Sequence, residues 1–189
     1  VLQDEIKSYI KLPNIENGKP SNVVLNPTEE QKDFMNSIIE RMVKIKTTNV
    51  DPTKDNHLKI CSDARKASVD MRIVDEKLPA SNKVMEVSNN IVDIYNKWNE
   101  DKGTQLVFLD ISTPKIDGEF SLYKDMKERL IAKGIKEEEI AFIHSYKKDE
   151  DKVNLFKRVN SGDIRVLLGS SQKMGAGMNV QERLVALHH

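Results

Sequence analysis

The sequence has a single cysteine, Cys61, and this scarcity excludes two kinds of stabilising site. One cysteine forms no intramolecular disulfide, and a zinc site built from several cysteine ligands is excluded as well. We expect Cys61 to be a small, partly buried apolar side chain in a protein of a reducing compartment.

Long hydrophobic runs are also missing. No apolar stretch approaches the roughly 20 residues of a membrane-spanning helix, and no charged-then-apolar signal segment opens the chain. These features predict a cytoplasmic protein with no membrane partner. The chain starts at Val1 and closes on a strand-like run at 184–187, so we expect it to be a piece of a longer polypeptide.

Neither sign of charge is in excess, because 30 Lys and Arg face 30 Asp and Glu among the 189 residues. This balance argues against a histone-like or tail-type nucleic-acid binder, whose affinity comes from many cationic contacts with phosphates. It leaves room for a local basic groove. Aromatic residues make up only 5% of the chain, so the predicted core rests on Val, Ile, Leu and Met.

The second half of the chain has an α/β pattern. Four apolar strand-like runs, at 105–109, 140–143, 164–168 and 184–187, are separated by two amphipathic helices and a glycine-bearing loop. Strands connected in this way form right-handed crossovers, so we predict a mostly parallel sheet flanked by helices. In such sheets the functional sites lie at the carboxyl ends of the strands.

The first 80 residues predict a helical lead-in extension, and residues 81–189 predict the α/β lobe. A short strand-like run at 22–25 precedes a helix that opens at Thr28 with a capping box. A second helix follows, with a predicted apolar face at Leu58, Cys61, Ala64 and Ala67. In the lobe, we predict that Trp98 packs into the core, and that a later helix turns these side chains inward: Val153, Phe156 and Val159.

The loop at 169–179 is the most unusual stretch of the sequence. Its glycines and small residues permit close approach of a phosphate or sugar, with backbone amides as donors. The Ser170 and Ser171 hydroxyls can donate to phosphate oxygens, and Lys173 adds a positive charge. A dinucleotide fingerprint requires a third glycine where Val180 stands, and a P-loop is absent from the chain. A glycine-rich turn without a ligand stays an alternative.

The order of these segments resembles the C-terminal RecA-like lobe of superfamily 2 helicases and Swi/Snf-type DNA translocases. It is most similar to the helicase–DNA methylase proteins of phages and mobile elements. Residues 105–112 resemble the motif IV strand, 142–145 the strand that follows, and 166–179 motif V. Residues 58–70 resemble the helical stretch before this lobe. The sequence departs from the family at Met174, where glycine is frequent.

The resemblance implies the second motor lobe of an ATP-dependent DNA helicase or translocase. In that family the motif IV and V segments hold the sugar-phosphate backbone of one strand without reading its sequence. The residues that would inherit this role here are Ser112, Thr113, His144, Ser145, Ser170, Ser171 and Lys173. Three others would lie near a nucleotide bound by the other lobe: Gly175, Gly177 and Asn179.

The resemblance also implies which parts of the motor lie elsewhere. The P-loop and the magnesium-binding Asp-Glu pair would precede Val1, and motif VI with its arginine finger would follow His189. We do not expect Arg183 to replace that finger. ATP and Mg²⁺ are therefore expected in the intact protein but not bound to this chain, which we expect not to hydrolyse ATP. The implied partners are DNA, with RNA left open, and the N-terminal helicase lobe of the same polypeptide.

No catalytic residue and no metal site is predicted within the chain. Asp110 and Asp117 share one strand-end loop, but two carboxylates are too few ligands to indicate magnesium. The alternative function is a non-catalytic RecA-like or Rossmann-like interaction module with a purely structural glycine loop. A helicase lobe predicts a basic, hydroxyl-lined groove at the carboxyl strand ends, and an interaction module predicts an apolar patch there.

Overall fold

A computed structural model describes residues 15–114, 120–175 and 177–189. Its helices and strands are, in chain order, α1 (Glu29–Thr47), α2 (His57–Val69), α3 (Asn82–Lys97), β1 (Thr104–Phe108), α4 (Leu122–Ala132), β2 (Ile140–Phe142), α5 (Asp149–Ser161), β3 (Val166–Gly169), α6 (Ser171–Met174) and β4 (Leu184–His188). None of the helices in these ranges is long and apolar enough to cross a membrane.

The four strands form one parallel sheet in the order β2-β3-β1-β4. The predicted α/β class, with a parallel sheet flanked by helices, is confirmed, and the arrangement is consistent with a RecA-like lobe. β1 and β3 are buried along nearly their whole length, as continuous apolar runs predict. Because the strands are parallel, the loops that follow β1, β2 and β3 leave the sheet at the same edge. We call the loop residues 109–114, 143–148 and 170–175 the carboxyl edge.

Helices cover both faces of the sheet. α3 and α4 pack on one face through a cluster that includes Ile91, Tyr123 and Leu130. α5 covers the other face through Leu155 and Val159. The prediction that Val153 points inward is wrong, because Val153 is 50% exposed. At 100° per residue it lies almost opposite Leu155, and Leu155 occupies the buried position instead.

Three other packing predictions are wrong. Cys61 is exposed, because α2 turns the neighbouring Ile60 inward instead; Ala67, on the same predicted face, is buried as expected. Leu58, also predicted on the apolar face, is 82% exposed. Trp98 is 37% exposed, because α3 ends at Lys97 and the backbone of Trp98 leaves the helical path. Its side chain is thereby released from the buried face of α3.

The predicted extension contains the helical pair α1 and α2. The capping box at Thr28 is confirmed: Thr28 Oγ1 accepts from the Gln31 amide at 3.3 Å, and Gln31 Oε1 accepts from the Thr28 amide at 3.1 Å. The strand predicted at 22–25 is wrong, since residues 20–28 form neither helix nor strand. An isolated run has no ladder to join, and no described strand lies beside it.

A buried ion pair fastens the extension to the lobe. Arg72, in the turn after α2, forms bidentate bonds with Asp70 and with Asp125 of α4, at 2.8–3.0 Å. Asp70 is fully buried, and its carboxylate also accepts from the Ser81 amide that precedes α3. The guanidinium lies 4.7 Å from the centre of the Phe120 ring. These contacts fix the segment between α2 and α3 against α4.

Candidate functional site

The three loops of the carboxyl edge are joined by direct contacts. The Ser171 amide donates to Asp110 Oδ1 at 2.6 Å, and the Ser171 hydroxyl donates to Asp110 Oδ2 at 2.9 Å. The Tyr123 hydroxyl donates to the Leu109 carbonyl oxygen, and its ring meets the His144 ring edge-on at 5.3 Å. The ends of β1, β2 and β3 therefore form one continuous surface, which carries most of the predicted backbone-binding residues.

The Ser112 hydroxyl stabilises the start of α4 and still has a hydrogen to donate. Its backbone lies in the left-handed region, with φ at 59°. Its hydroxyl oxygen accepts from the Leu122 amide at 3.0 Å, which fixes the start of α4. Since this bond uses a lone pair, the Ser112 hydroxyl hydrogen stays available to a ligand. Thr113 beside it is exposed.

The serines of the other two loops differ in accessibility. Ser145 is exposed and follows β2. Ser170 is only 9% exposed, and its carbonyl oxygen accepts from the amides of Lys173 and Met174. Ser171 is exposed, but both its amide and its hydroxyl hydrogen are used by Asp110. Of these three, only Ser145 combines an exposed side chain with a hydroxyl that has no hydrogen bond among the described residues.

His144 is held in its neutral form. Its pKa lies below the ordinary value, first because of burial and then because of the positive charge of Lys173. Its Nδ1 atom is buried and has no hydrogen-bond partner among the residues that the structure describes. At neutral pH His144 therefore contributes a polar ring rather than a positive charge to the carboxyl edge.

Glycine is required by the surrounding structure at the end of β3 and in the loop that follows it. A Cβ on Gly169 would lie 2.5 Å from Ile143 Cγ2 and 2.7 Å from the Met174 side chain. A Cβ on Gly175 would lie 2.5 Å from the Ser171 carbonyl oxygen, and Gly177 has a φ of +76°. Packing at Gly169 and Gly175 and the positive φ of Gly177 therefore explain these glycines without a ligand, which favours the structural interpretation of the loop.

Met174 is compatible with this loop although it departs from the family pattern. Its side chain is 3% exposed and packs in the core cluster beneath α5. Asn179 is exposed, and its backbone carbonyl oxygen accepts from Asn160 Nδ2 at 2.8 Å. The predicted nucleotide-proximal residues Gly175, Gly177 and Asn179 are thus all exposed, and Asn179 is bonded to the end of α5.

The charge of the carboxyl edge is mixed. Exposed cations follow β2 and β3 at Lys147, Lys148 and Lys173. The Asp110 carboxylate lies among them, and the first turn of α5 adds acidic side chains at 149–151. The three cations are offset by these carboxylates, so the described residues of this edge do not form the basic groove that a helicase lobe predicts. A polyanion would be attracted only weakly, and salt would screen the attraction.

The sequence analysis did not predict the hydrogen bonds between Asp110 and Ser171, nor that Tyr123 contacts both Leu109 and His144. Asp110 was considered only as half of a metal pair, whose other member, Asp117, lies outside the described residues. In the described ranges no three His, Cys, Asp or Glu side chains lie close enough together to hold a metal ion. The useful signal was topological: Asp110 directly follows β1 and Ser171 directly follows β3, which are neighbouring parallel strands.

Arg183 lies at the opposite edge of the sheet, before β4 begins. Its Nη1 donates to the Asp101 carbonyl oxygen at 2.6 Å and its Nε to the Asn160 carbonyl oxygen at 3.1 Å. It joins the segment before β1 to the end of α5.

The polar character of the carboxyl edge is the feature that bears on function. None of the described residues in its three loops is a large, exposed hydrophobic side chain. The apolar patch that an interaction module would place there is therefore missing from these loops.

The protein-family models, the curated proteins and the solved structures contain no match to this chain.

Proposed function

We propose that the chain is the second motor lobe of an ATP-dependent DNA helicase or translocase, acting in the cytoplasm, and that its carboxyl edge contacts the sugar-phosphate backbone. The order of motif-like segments supports the proposal. The observation that carries it furthest is the convergence of three strand ends on one polar surface, through the Asp110–Ser171 and Tyr123–His144 contacts.

The backbone contacts proposed for this surface follow from the donors that are free. The Ser112 and Ser145 hydroxyls donate to phosphate oxygens, and Lys173 adds the charge-assisted contact. Thr113, exposed beside Ser112, lies on the same path. Such contacts hold a strand in register and carry no base information, so RNA is bound by the same chemistry unless another segment reads the sugar.

In this proposal ATP and Mg²⁺ are bound by the intact protein and not by this chain alone. The chain has no P-loop, and the Cβ space of Gly175 is filled by the carbonyl oxygen of Ser171, so the described loop forms no phosphate cradle by itself. We propose that the other lobe binds the nucleotide. The exposed Gly175, Gly177 and Asn179 would lie against it when the two lobes close.

The experiment that tests the proposal measures DNA binding by fluorescence anisotropy, with a labelled 20-nucleotide single strand over a salt series. The chain should bind weakly, and Lys173→Gln should lower the affinity roughly three- to tenfold and reduce the salt slope by about one contact. Lys97→Gln, at the far end of α3, is the matched control and should change neither value. Tight binding that is insensitive to salt would contradict the proposal.

The interaction module stays the second candidate because of a different surface. On α1, Met35, Ile39 and Val43 lie at helical spacing and are 40%, 59% and 54% exposed. A stripe of this kind on a helix is typical of a protein contact. Sedimentation of the chain at rising concentration, with Ile39→Glu as the comparison, distinguishes self-association through this stripe from DNA binding at the carboxyl edge.

A further inference from the structure

Two hydrogen-bond donors that the family resemblance would assign to a phosphate are already used within the molecule. Both belong to Ser171, whose amide and hydroxyl donate to the two carboxylate oxygens of Asp110 at 2.6 Å and 2.9 Å. A carboxylate held in this way takes the place of two phosphate oxygens, since both groups accept charge-assisted hydrogen bonds. The predicted phosphate contact at Ser171 is therefore occupied by an internal anion.

The contact is built so that it can open. Asp110 and Ser171 are both exposed, so neither side chain must leave a packed core when they separate. The carbonyl oxygen of Ser171 is bonded to the Gly175 amide, and β1 and β3 are paired up to Phe108 and Gly169. The backbone on both sides is thus held in place while the Asp110 side chain rotates. Exposed hydrogen-bonded pairs contribute little in water, so a phosphate displaces such a pair at small cost.

The Asp110 charge also acts on its surroundings. Tyr123, whose hydroxyl is bonded to the Leu109 carbonyl oxygen, has a raised pKa, first because of burial and then because of the Asp110 charge. The carboxylate lies in the loop between β1 and α4, at the same edge as the exposed Lys173 of α6. It therefore weakens the field that would attract a phosphate to this edge.

We propose that Asp110 is an internal competitor of the nucleic-acid backbone: its carboxylate must leave Ser171 before a phosphate group binds there. The inference rests on the proposed function and adds a regulatory contact to it. With Asp110 on Ser171 the edge binds polynucleotides weakly, and any event that draws Asp110 away raises the affinity. The competition needs no change in the sheet, because only the Asp110 side chain moves.

The test compares single variants in the anisotropy assay with the 20-nucleotide strand at low salt. Asp110→Asn keeps the size of the side chain, removes its charge and weakens its hold on the Ser171 hydroxyl. It should bind roughly tenfold more tightly than the unmodified chain. Glu150→Gln is the matched control, because it removes one exposed negative charge at the start of α5 without releasing a donor. It should gain no more than about threefold.

A double-mutant comparison separates competition from general electrostatics. In a Ser171→Ala background the released hydroxyl is absent, so the gain from Asp110→Asn should fall to that of Glu150→Gln. Circular dichroism and thermal unfolding verify that each variant is folded. In the unmodified chain, the Ser171 amide resonance in ¹H–¹⁵N spectra should shift during the DNA titration, which tests the same contact without a substitution at Asp110.

The outcomes are distinct. If the unmodified chain binds DNA and Asp110→Asn gains no more than Glu150→Gln, the competitor is overturned and the proposed function stands. Weaker binding by Asp110→Asn also overturns it, because Asp110 would then position the site. If none of the variants binds DNA, both proposals fail. If only Asp110→Asn binds, both are supported and the contact blocks binding completely.

Discussion

At the scale of single residues, Arg165 is a buried cation that depends on several hydrogen bonds. It is 2% exposed, and its guanidinium lies 3.7 Å from the centre of the Tyr95 ring. Its nitrogen atoms donate to four oxygen atoms that lie at or beyond the end of α3, namely the carbonyl oxygens of Tyr95, Trp98 and Gly103 and the side chain of Asn99. The last carbonyl groups of a helix carry partial negative charge and have no helical partner. A buried cation therefore completes α3 and joins it to β3.

Arg165→Met should destabilise the protein by about 3–5 kcal/mol, because several buried carbonyl oxygens lose their donor together. Urea unfolding followed by circular dichroism measures the change. Arg158→Met, on the exposed side of α5, is the control and should stay within about 0.5 kcal/mol of the unmodified chain. A loss below about 1 kcal/mol for Arg165→Met would show that water replaces the guanidinium.

His188 gives the protein a pH-dependent stability. Gln105 Nε2 donates to the Ile91 carbonyl oxygen, so Gln105 Oε1 accepts from His188 Nε2 at 2.9 Å. Burial lowers the pKa of His188 to about 4, against about 6.5 in an unfolded chain. The unfolded state therefore binds more protons between these values, and stability is complete above pH 6.5 and falls as the pH drops towards 4.

The expected loss from His188 is at most about 3 kcal/mol across that range. Urea unfolding at pH 7.5 and pH 5 should show a smaller difference for His188→Gln, which keeps a donor for Gln105 and does not titrate. Identical pH dependence in the two proteins would contradict the assignment. His144→Gln is a useful comparison, since the pKa of His144 is also lowered and its contribution has the same sign.

At the scale of elements, strands were predicted more accurately than helix faces. The apolar runs located all four strands to within two residues at each end, because a strand buried on both faces has a continuous hydrophobic signal. Helix faces depend on which neighbour packs against them, so Val153 was assigned to the wrong side of α5, and Cys61 to the wrong side of α2. The run at 22–25 has strand composition but has no partner strand among the residues that the structure describes.

The location of the candidate site could be predicted from the sequence, but its hydrogen bonds could not. Parallel topology alone places the residues after β1, β2 and β3 at one edge. Which donors there stay free depends on side-chain positions that no local pattern encodes. Ser112 and Ser171 look equivalent in the sequence, yet Ser112 keeps its hydroxyl hydrogen and Ser171 gives its own to Asp110.

The close packing of Gly169 against Met174 predicts how substitutions at these two positions change the free energy of unfolding. Gly169→Ala should cost about 1–3 kcal/mol, because the new methyl group collides with Ile143 and Met174. Met174→Ala should cost about 2–5 kcal/mol through the cavity it leaves. In the double variant the methyl group enters that space, so the combined loss should fall at least about 1 kcal/mol short of the sum. Additive losses in urea unfolding would contradict this packing.

At the scale of the whole molecule, the bond network of Arg72 decides whether the extension and the lobe unfold together. Removing Arg72 leaves the carboxylate of Asp70, which is 0% exposed, without its cation. Asp125 loses a partner as well: burial would raise its pKa, but hydrogen bonds from Arg72 and Arg129 hold the pKa below its ordinary value. The predicted division at residue 80 therefore runs through a tightly bonded region.

Arg72→Met should destabilise the protein by about 3–5 kcal/mol and separate the two parts in unfolding. The chain has one tryptophan and one cysteine, so Trp98 fluorescence reports on the lobe and a dye on the exposed Cys61 reports on α2. The two urea transitions should coincide in the unmodified chain, and the Cys61 transition should move to lower urea in the variant. Lys32→Met, which breaks only an exposed pair with Glu29, should leave both unchanged. Coincident transitions in Arg72→Met would show that apolar packing alone couples the parts.

The strand order has a consequence for synthesis on the ribosome. Gln105 of β1 is level with Val166 on one side and with Ala186 on the other, so β1 has no neighbour from the chain that precedes it. β1 is the first of the four described strands to be made, and both of its partners follow later in the chain. Until β3 and β4 emerge, β1 exposes both of its backbone edges, and the nascent chain depends on dilution or on chaperones to reach its folded state without aggregating.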